Sequence, residues 1–222
     1  MCGLPSRNTR KGFALLIFLP LICLGCGDFE APGSDKSGSI FSVEDIDPVY
    51  FAESTRQVDV RMDNCADDPL TDPYDPEPFS DHFADVTLSN RPLNNSDEQT
   101  ASTVYVQSYE LWYEPLTVGA PPLPPFPRKA IGDYVGIEPC EPASDCQGET
   151  LGQIEFVPWD RKNVLNGYLY GPSGSCDVLT GQGCQLEYNI YYRFYGENDF
   201  GYGVRADGVT NFYASDYDNC GN

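Results

Sequence analysis

Histidine, methionine and tryptophan are scarce in this chain, whose 222 residues include one histidine, two methionines and two tryptophans. A Ser-His-Asp or Cys-His catalytic site would have to use His82, and the sequence contains no Gly-x-Ser-x-Gly nucleophile motif. It also lacks a dinucleotide-binding fingerprint and a glycine-rich phosphate loop with lysine. We therefore predict that the protein is not an enzyme and that it uses no cofactor, with calcium as the one exception considered below.

No apolar segment is long enough for a permanent transmembrane helix. The longest, residues 13–24, has 12 residues and contains Pro20, whereas about 20 residues are needed to span a bilayer. It is preceded by three basic residues, Arg7, Arg10 and Lys11, and followed by Gly25. A basic start, a short apolar stretch and a small residue define a cleavable export signal. Residues 1–25 are therefore predicted to be a signal peptide.

The end of this signal, Cys23-Leu24-Gly25-Cys26, resembles the lipobox of bacterial lipoproteins, in which a small residue precedes a cysteine that receives a diacylglycerol. The resemblance implies cleavage before Cys26 and attachment of lipid to its thiol. An ordinary secretory signal that leaves Cys26 free is the alternative. Lipoproteins of this type that stay in the inner membrane carry Asp at the next position. Gly27 stands there instead, so the resemblance implies the outer membrane.

Cationic residues are few, with 13 Lys and Arg against 34 Asp and Glu. Three of the 13 leave with the signal, so the mature chain has 10 cationic and 34 acidic residues and a net charge of −24. Nucleic acids and anionic lipid head groups bind basic surfaces. The large negative charge of the mature chain therefore excludes nucleic acid as a partner. We expect the N-terminal lipid to provide the membrane contact, and an envelope protein or a glycan to be the partner.

Six cysteines remain in the mature chain once the lipid has taken Cys26: Cys65, Cys140, Cys146, Cys176, Cys184 and Cys220. An even number in an exported protein predicts disulfide bonds. The sequence does not select one pairing, although Cys140 lies close to Cys146, and Cys176 close to Cys184. If those pairs form, the remaining two cysteines join the start of the domain to its end. A metal site is the alternative, but it needs CxxC spacing or nearby histidines, which the sequence lacks.

A tether and a single β-domain are predicted for the mature chain. Residues 26–56 begin with small, polar residues without periodicity, which is typical of a flexible tether. Over residues 57–222 apolar residues alternate with polar ones, which indicates strands with one buried and one wet face. The clearest strand spans residues 185–195. Its apolar face carries Leu186, Tyr188, Ile190, Tyr192 and Phe194.

The segment 103–114 reads as one long strand whose alternation changes phase. A β-bulge near Gln107-Ser108 would place Val104, Val106, Tyr109, Leu111 and Tyr113 on one face. Asn166-Gly167 and Asp207-Gly208 predict two-residue hairpin turns, and no window of the domain shows a helical stripe. Many short strands predict an all-β antiparallel sandwich. The pattern is similar to that of immunoglobulin-like sandwiches carried by bacterial lipoproteins of unknown function.

The densest acidic loop, residues 63–77, is a candidate calcium site because calcium binds several oxygen ligands. Its candidate ligands are Asp63, Asp67, Asp68, Asp72 and Asp75. The spacing of an EF-hand is absent, and the prolines hold the carboxylates in an extended chain. A solvated loop is therefore the favoured alternative.

Aromatic residues suggest a contact surface. Tyr191 and Tyr195 fall on the polar face of the clearest strand, so we predict that they contact a partner. Trp112, Trp159 and the tyrosines could also form a sugar-stacking platform, as in a carbohydrate-binding module, although most of them occupy positions that fill a core. A glycan hydrolase using two carboxylates is a third interpretation, but no pair can be chosen among 34 acids. The sequence thus favours a binding or scaffolding domain.

Overall fold

The computed structural model describes residues 38–66, 75–93, 102–140, 146, 148–177 and 179–220. Nine β-strands and one α-helix lie in this part of the chain, in the order β1 (Ser39–Tyr50), β2 (Glu53–Ser54), β3 (Gln57–Asp59), β4 (His82–Pro92), β5 (Val104–Pro115), β6 (Phe126–Ile137), β7 (Glu149–Val157), α1 (Trp159–Tyr170), β8 (Leu186–Asn198) and β9 (Gly203–Ser215). The predicted signal peptide, Cys26 and the first part of the predicted tether lie outside the described residues.

The strands form two sheets that pack face to face. One sheet has the order β2-β1-β4-β7 and the other has the order β3-β9-β8-β5-β6. Neighbouring strands are antiparallel except β3 and β9, which are parallel. Each sheet directs alternate side chains into one shared apolar core. The predicted all-β antiparallel sandwich is confirmed.

Buried tyrosines tie the two sheets together at the edge strand β7. The Tyr113 hydroxyl donates to the Phe156 carbonyl over 2.8 Å, and the Tyr192 hydroxyl donates to the Glu155 carbonyl over 2.8 Å. The Glu155 amide in turn donates to the Tyr109 hydroxyl. A buried phenol needs such a partner. The abundance of tyrosine is therefore used partly to join the sheets through hydrogen bonds inside the core.

The two clearest strand predictions are confirmed. All five apolar residues of the 185–195 segment are buried along β8. In β5 the pairing register shifts between Val106 and Ser108, which is the predicted position of the bulge. The five residues that the bulge was expected to align, Val104, Val106, Tyr109, Leu111 and Tyr113, are all buried.

The prediction of a flexible tether as far as residue 56 is wrong for residues 39–54. They form β1 and β2, and β1 pairs along its length with β4. A register shift between Val43 and Asp45 changes the phase of β1, so the buried residues Phe41 and Ile46 do not fit one alternation. This bulge hides the period of two in the sequence. Within the described residues, the sheet structure begins earlier than the pattern indicates, with β1 at Ser39.

The helix α1 was not predicted, and the hairpin expected at Asn166-Gly167 is wrong because both residues lie inside it. Its inward stripe consists of Lys162, Leu165 and Leu169. These positions have helical spacing, but the first is a lysine, so no apolar helical period is visible in the sequence.

The hairpin expected at Asp207-Gly208 is also wrong, because β9 runs straight through both residues and pairs with β8. The glycine serves packing between the sheets instead of a turn. A Cβ atom at position 208 would lie 2.8 Å from Cγ1 of Val43 and 3.1 Å from Cδ1 of Ile46. The chain reverses at residues 199–202, between β8 and β9.

Three disulfide bonds join the six cysteines of the described domain. Cys65 pairs with Cys220, Cys140 with Cys146, and Cys176 with Cys184. The prediction of disulfides in place of a metal site is confirmed. The Cys65–Cys220 bond links the segment after β3 to the segment after β9, across 155 residues.

The two ends of the sandwich differ. At the end we call the entry end, the chain enters at Gly38, whose carbonyl accepts from the Leu93 amide. The Asn90 side chain, near the end of β4, donates to the Ser102 and Ile137 carbonyls beside β5 and β6. The opposite, far end carries α1 and the bonds Cys65–Cys220 and Cys176–Cys184.

Candidate functional site

A row of apolar side chains crosses the outer face of the five-stranded sheet, by which we mean the solvent-facing side chains of β5, β8 and β9. The register places Trp112 opposite Tyr191 and Tyr191 opposite Val209. The Trp112 and Tyr191 rings are stacked, with centroids 5.4 Å apart and planes inclined by 8°. Val209 is exposed. Parallel aromatic pairs of this kind are attractive beyond the area that they bury.

Arg193 organises the neighbouring row of the outer face. Its Nε donates to Asp207 over 2.7 Å, and one of its terminal nitrogens lies 3.6 Å from Glu110. The hydrogen bond to Asp207 raises the pKa of Arg193 above its usual value. The guanidinium also lies 5.3 Å from the centroid of the Trp112 ring. One arginine thus connects the three strands and contacts the aromatic row.

The two predicted contact residues, Tyr191 and Tyr195, both lie half-buried on this face. Their hydroxyls donate to carboxylates of β5, that of Tyr191 to Glu114 over 2.5 Å and that of Tyr195 to Glu110 over 2.6 Å. The hydrogen bond to Glu114 raises the pKa of Tyr191. The sequence pattern does not place Trp112 beside them. The predicted β5 bulge was the available signal, because after the bulge position 112 shares the outward phase.

A cavity of about 290 Å³ borders the aromatic row on the side of β6. It is lined by Glu110, Leu111, Trp112, Pro125, Phe126 and Arg193. Its wall combines two aromatic rings and a proline with a carboxylate and a guanidinium. Its volume is at the lower limit of ligand pockets in proteins, which suits a single ring or one side chain.

The strands of the outer face carry more carboxylates than guanidinium groups: Glu110, Glu114, Glu187, Glu197 and Asp207 against Arg193 and Arg205. Two arginines of flanking elements reduce this excess. Arg56, just before β3, donates to Asn211, and Arg128 of β6 donates to Ser108. The local charge is therefore closer to neutral than that of the chain as a whole, whose net charge is −21.

A group of ionisable side chains is enclosed at the far end. Lys162 is fully buried, and its ammonium lies 4.3 Å from the Tyr50 ring centroid and 4.7 Å from that of Phe79. Burial lowers the pKa of Lys162 to about 8, an effect opposed chiefly by Asp59. Burial raises the pKa of Asp59 to about 7, and the charge of Glu77 adds to the increase.

This enclosed group does not form an active-site cleft. Asp59 and Glu77 are 1% and 2% exposed, whereas carboxylates that hydrolyse a glycan must flank the bond in an open cleft. His82 is fully buried between the rings of Tyr50 and Phe156. Burial lowers the pKa of His82 to about 3, which keeps it neutral and out of reach of a substrate.

The predicted calcium loop is described only at its two ends. Asp63 and Asp75 are described, and Asp63 lies 3.4 Å from Arg61, while Asp67, Asp68 and Asp72 lie outside the described residues. Within the described ranges, no group of three or more His, Cys, Asp or Glu side chains is arranged to hold a metal ion. The calcium site stays a prediction.

Cys26 lies outside the described residues, so lipidation also stays a prediction. Among the described residues, none of the helical structure has the length and apolar character needed to cross a bilayer. The chain is thus an all-β sandwich, and the outer face of its five-stranded sheet carries aromatic residues and arginines. No family model, no curated protein and no solved structure matches this chain.

Proposed function

We propose that the protein is an envelope lipoprotein, held in the outer membrane by lipid on Cys26, that binds or scaffolds a partner without catalysis. The short apolar signal ending in Gly25-Cys26 supports the anchor, and Gly27 supports the outer membrane. In the described residues, the sandwich presents a broad sheet surface rather than a cleft with converging catalytic groups.

The observation that carries the binding role is the stacked Trp112–Tyr191 pair with Arg193 on the outer face. Tryptophan, tyrosine and arginine dominate the binding energy of protein surfaces. Here they stand on two neighbouring strands, β5 and β8. Tyr191 and Arg193 are hydrogen-bonded to Glu114 and Asp207, and Trp112 is stacked on Tyr191, so little side-chain freedom is lost on binding. Tyr191 and Tyr195 are the contact residues of this proposal.

Photo-crosslinking in the native envelope tests this role. A benzophenone amino acid replaces Val209, on the outer face, or Val164, an exposed valine of α1 that serves as the matched control. We expect a discrete adduct from position 209 that disappears when Tyr191→Ala is added, and no such adduct from position 164. The same adducts from both positions, or none from 209, would contradict the proposed contact surface.

A carbohydrate-binding module is a second candidate, because the 290 Å³ cavity places an aromatic ring beside a carboxylate and a guanidinium. Retention of the mature chain on cell-wall polysaccharide isolated from the envelope tests it. Retention should be lost with Trp112→Ala, whose ring lines the cavity, and kept with Trp159→Ala, the other tryptophan, which is exposed at the start of α1. A native chain that is not retained would remove this candidate.

A further inference from the structure

An ordered aromatic turn projects from the entry end of the sandwich. Residues 199–202 join β8 to β9, and Phe200 is 68% exposed and Tyr202 46% exposed. The Asn198 side chain accepts from the amides of Phe200 and Tyr202 over 3.0 and 2.9 Å. Gly201 adopts a φ of +78°, which completes the reversal. The fold thus holds two large aromatic side chains in water at a fixed position.

The turn lies at the end where the chain enters the domain. Ser39 pairs with Pro92, the last residue of β4. Asn90, two residues earlier, is hydrogen-bonded beside the start of β5, and Val104 at that start pairs with Asn198. The entry point at Gly38 and the aromatic turn therefore share one end, and Ile40 and Tyr105 add exposed apolar surface there.

We propose that the turn 199–202 rests in the interfacial region of the bilayer that carries the lipid anchor, an inference that depends on the proposed lipidation. Twelve residue steps separate Cys26 from Gly38, which reach at most about 43 Å when extended. The 13-residue strands make the sandwich about 44 Å long. Even a fully extended tether would just fail to reach along the whole sandwich, so the anchor favours an orientation with the entry end toward the membrane and the far end away from it.

Lipid suits this surface chemically. Tyrosine favours the level of the head groups, and phenylalanine enters the boundary between head groups and acyl chains. The anchor converts a weak contact into an intramolecular one with a high effective concentration. Glu197 and Asp199 are exposed next to the two aromatic residues. Because they repel anionic head groups, the contact is with zwitterionic lipid. The outer face then stands upright on the membrane and is accessible to a partner.

Quenching by brominated lipid tests the inference on mature chain extracted from envelopes and reconstituted in phosphatidylcholine vesicles. Phe200→Trp places a reporter in the turn. Val118→Trp, at a fully exposed position between β5 and β6 at the far end, is the matched control. Relative to the native chain, whose Trp112 and Trp159 give the background, we expect extra fluorescence loss and a blue shift for Phe200→Trp alone.

The outcomes separate the anchor from the turn. Equal quenching of the two variants, or stronger quenching of Val118→Trp, overturns docking by the turn while leaving the lipoprotein intact. A third variant, Val209→Trp, reports on the outer face. If it is strongly quenched while position 200 is not, the outer face lies on the membrane, and docking by the turn is overturned. Peptide mass spectrometry that finds Cys26 unmodified overturns the anchor, and the docking with it.

Discussion

Removal of the Cys65–Cys220 bond by Cys65→Ser with Cys220→Ser should destabilise the domain more than removal of either short-range bond. A disulfide restricts the unfolded chain in proportion to the logarithm of the loop that it closes. The bond spans 155 residues, whereas Cys176–Cys184 spans 8. The chain-entropy relation gives about 5 kcal/mol for the long loop and about 2.5 kcal/mol for the short one.

Urea titration and thermal unfolding of the mature chain with Cys26→Ser, both followed by tyrosine and tryptophan fluorescence, measure both losses. For a domain of this size, about 2–4 °C of melting temperature corresponds to each kcal/mol. The long-range variant should therefore melt about 10–20 °C lower, and the matched variant Cys176→Ser with Cys184→Ser about 5–10 °C lower. Equal losses would refute the argument that loop length in the unfolded chain sets the contribution.

Three further predictions concern single residues of the sheets and of α1. Gly208→Ala should destabilise the domain by about 1–3 kcal/mol, because its Cβ would lie 2.8 Å from Cγ1 of Val43. Gly167→Ala should instead stabilise the domain by about 1 kcal/mol in the same urea titration. Gly167 lies in α1, and no atom lies within 4 Å of the new Cβ. An unchanged midpoint for Gly208→Ala would show that the sheets can move apart there. Burial raises the pKa of Asp59 from 3.8 to about 7, so its contribution to stability is complete below the unfolded pKa and is lost as the pH rises to about 7. Asp59→Asn should accordingly gain stability relative to the native chain across that window in unfolding measurements at a series of pH values, and a constant difference would contradict the assigned pKa.

The sequence predicted those strands whose alternation is unbroken or whose break is flanked by apolar residues on both sides. The β5 bulge was visible for that reason. The β1 bulge was not, because acidic residues at positions 44 and 45 follow Val43 and resemble a tether. The helix was missed because a lysine stands in its inward stripe. Gly208 was misread because close packing and tight turns select the same residue, and only the opposing sheet distinguishes them.

The sequence predicted the tyrosines of the candidate site but not the residues around them. The phase of β8 was enough to place Tyr191 and Tyr195 on the outer face. The stacking of Trp112 on Tyr191 depends on the pairing of β5 with β8, in which residues 79 positions apart in sequence lie opposite each other. The register of that pairing cannot be read from a single sequence. The cavity beside Trp112 depends in addition on the position of β6. The buried Lys162 and Asp59 also come together only through the fold.

Mass spectrometry of the native amino-terminal peptide tests the central claim most directly. The envelope-bound protein is isolated from the membrane fraction and digested, and its first peptide is sequenced. We expect this peptide to begin at Cys26 and to carry a diacylglycerol thioether on that residue. An unmodified Cys26, or an intact leader over residues 1–25, would contradict it.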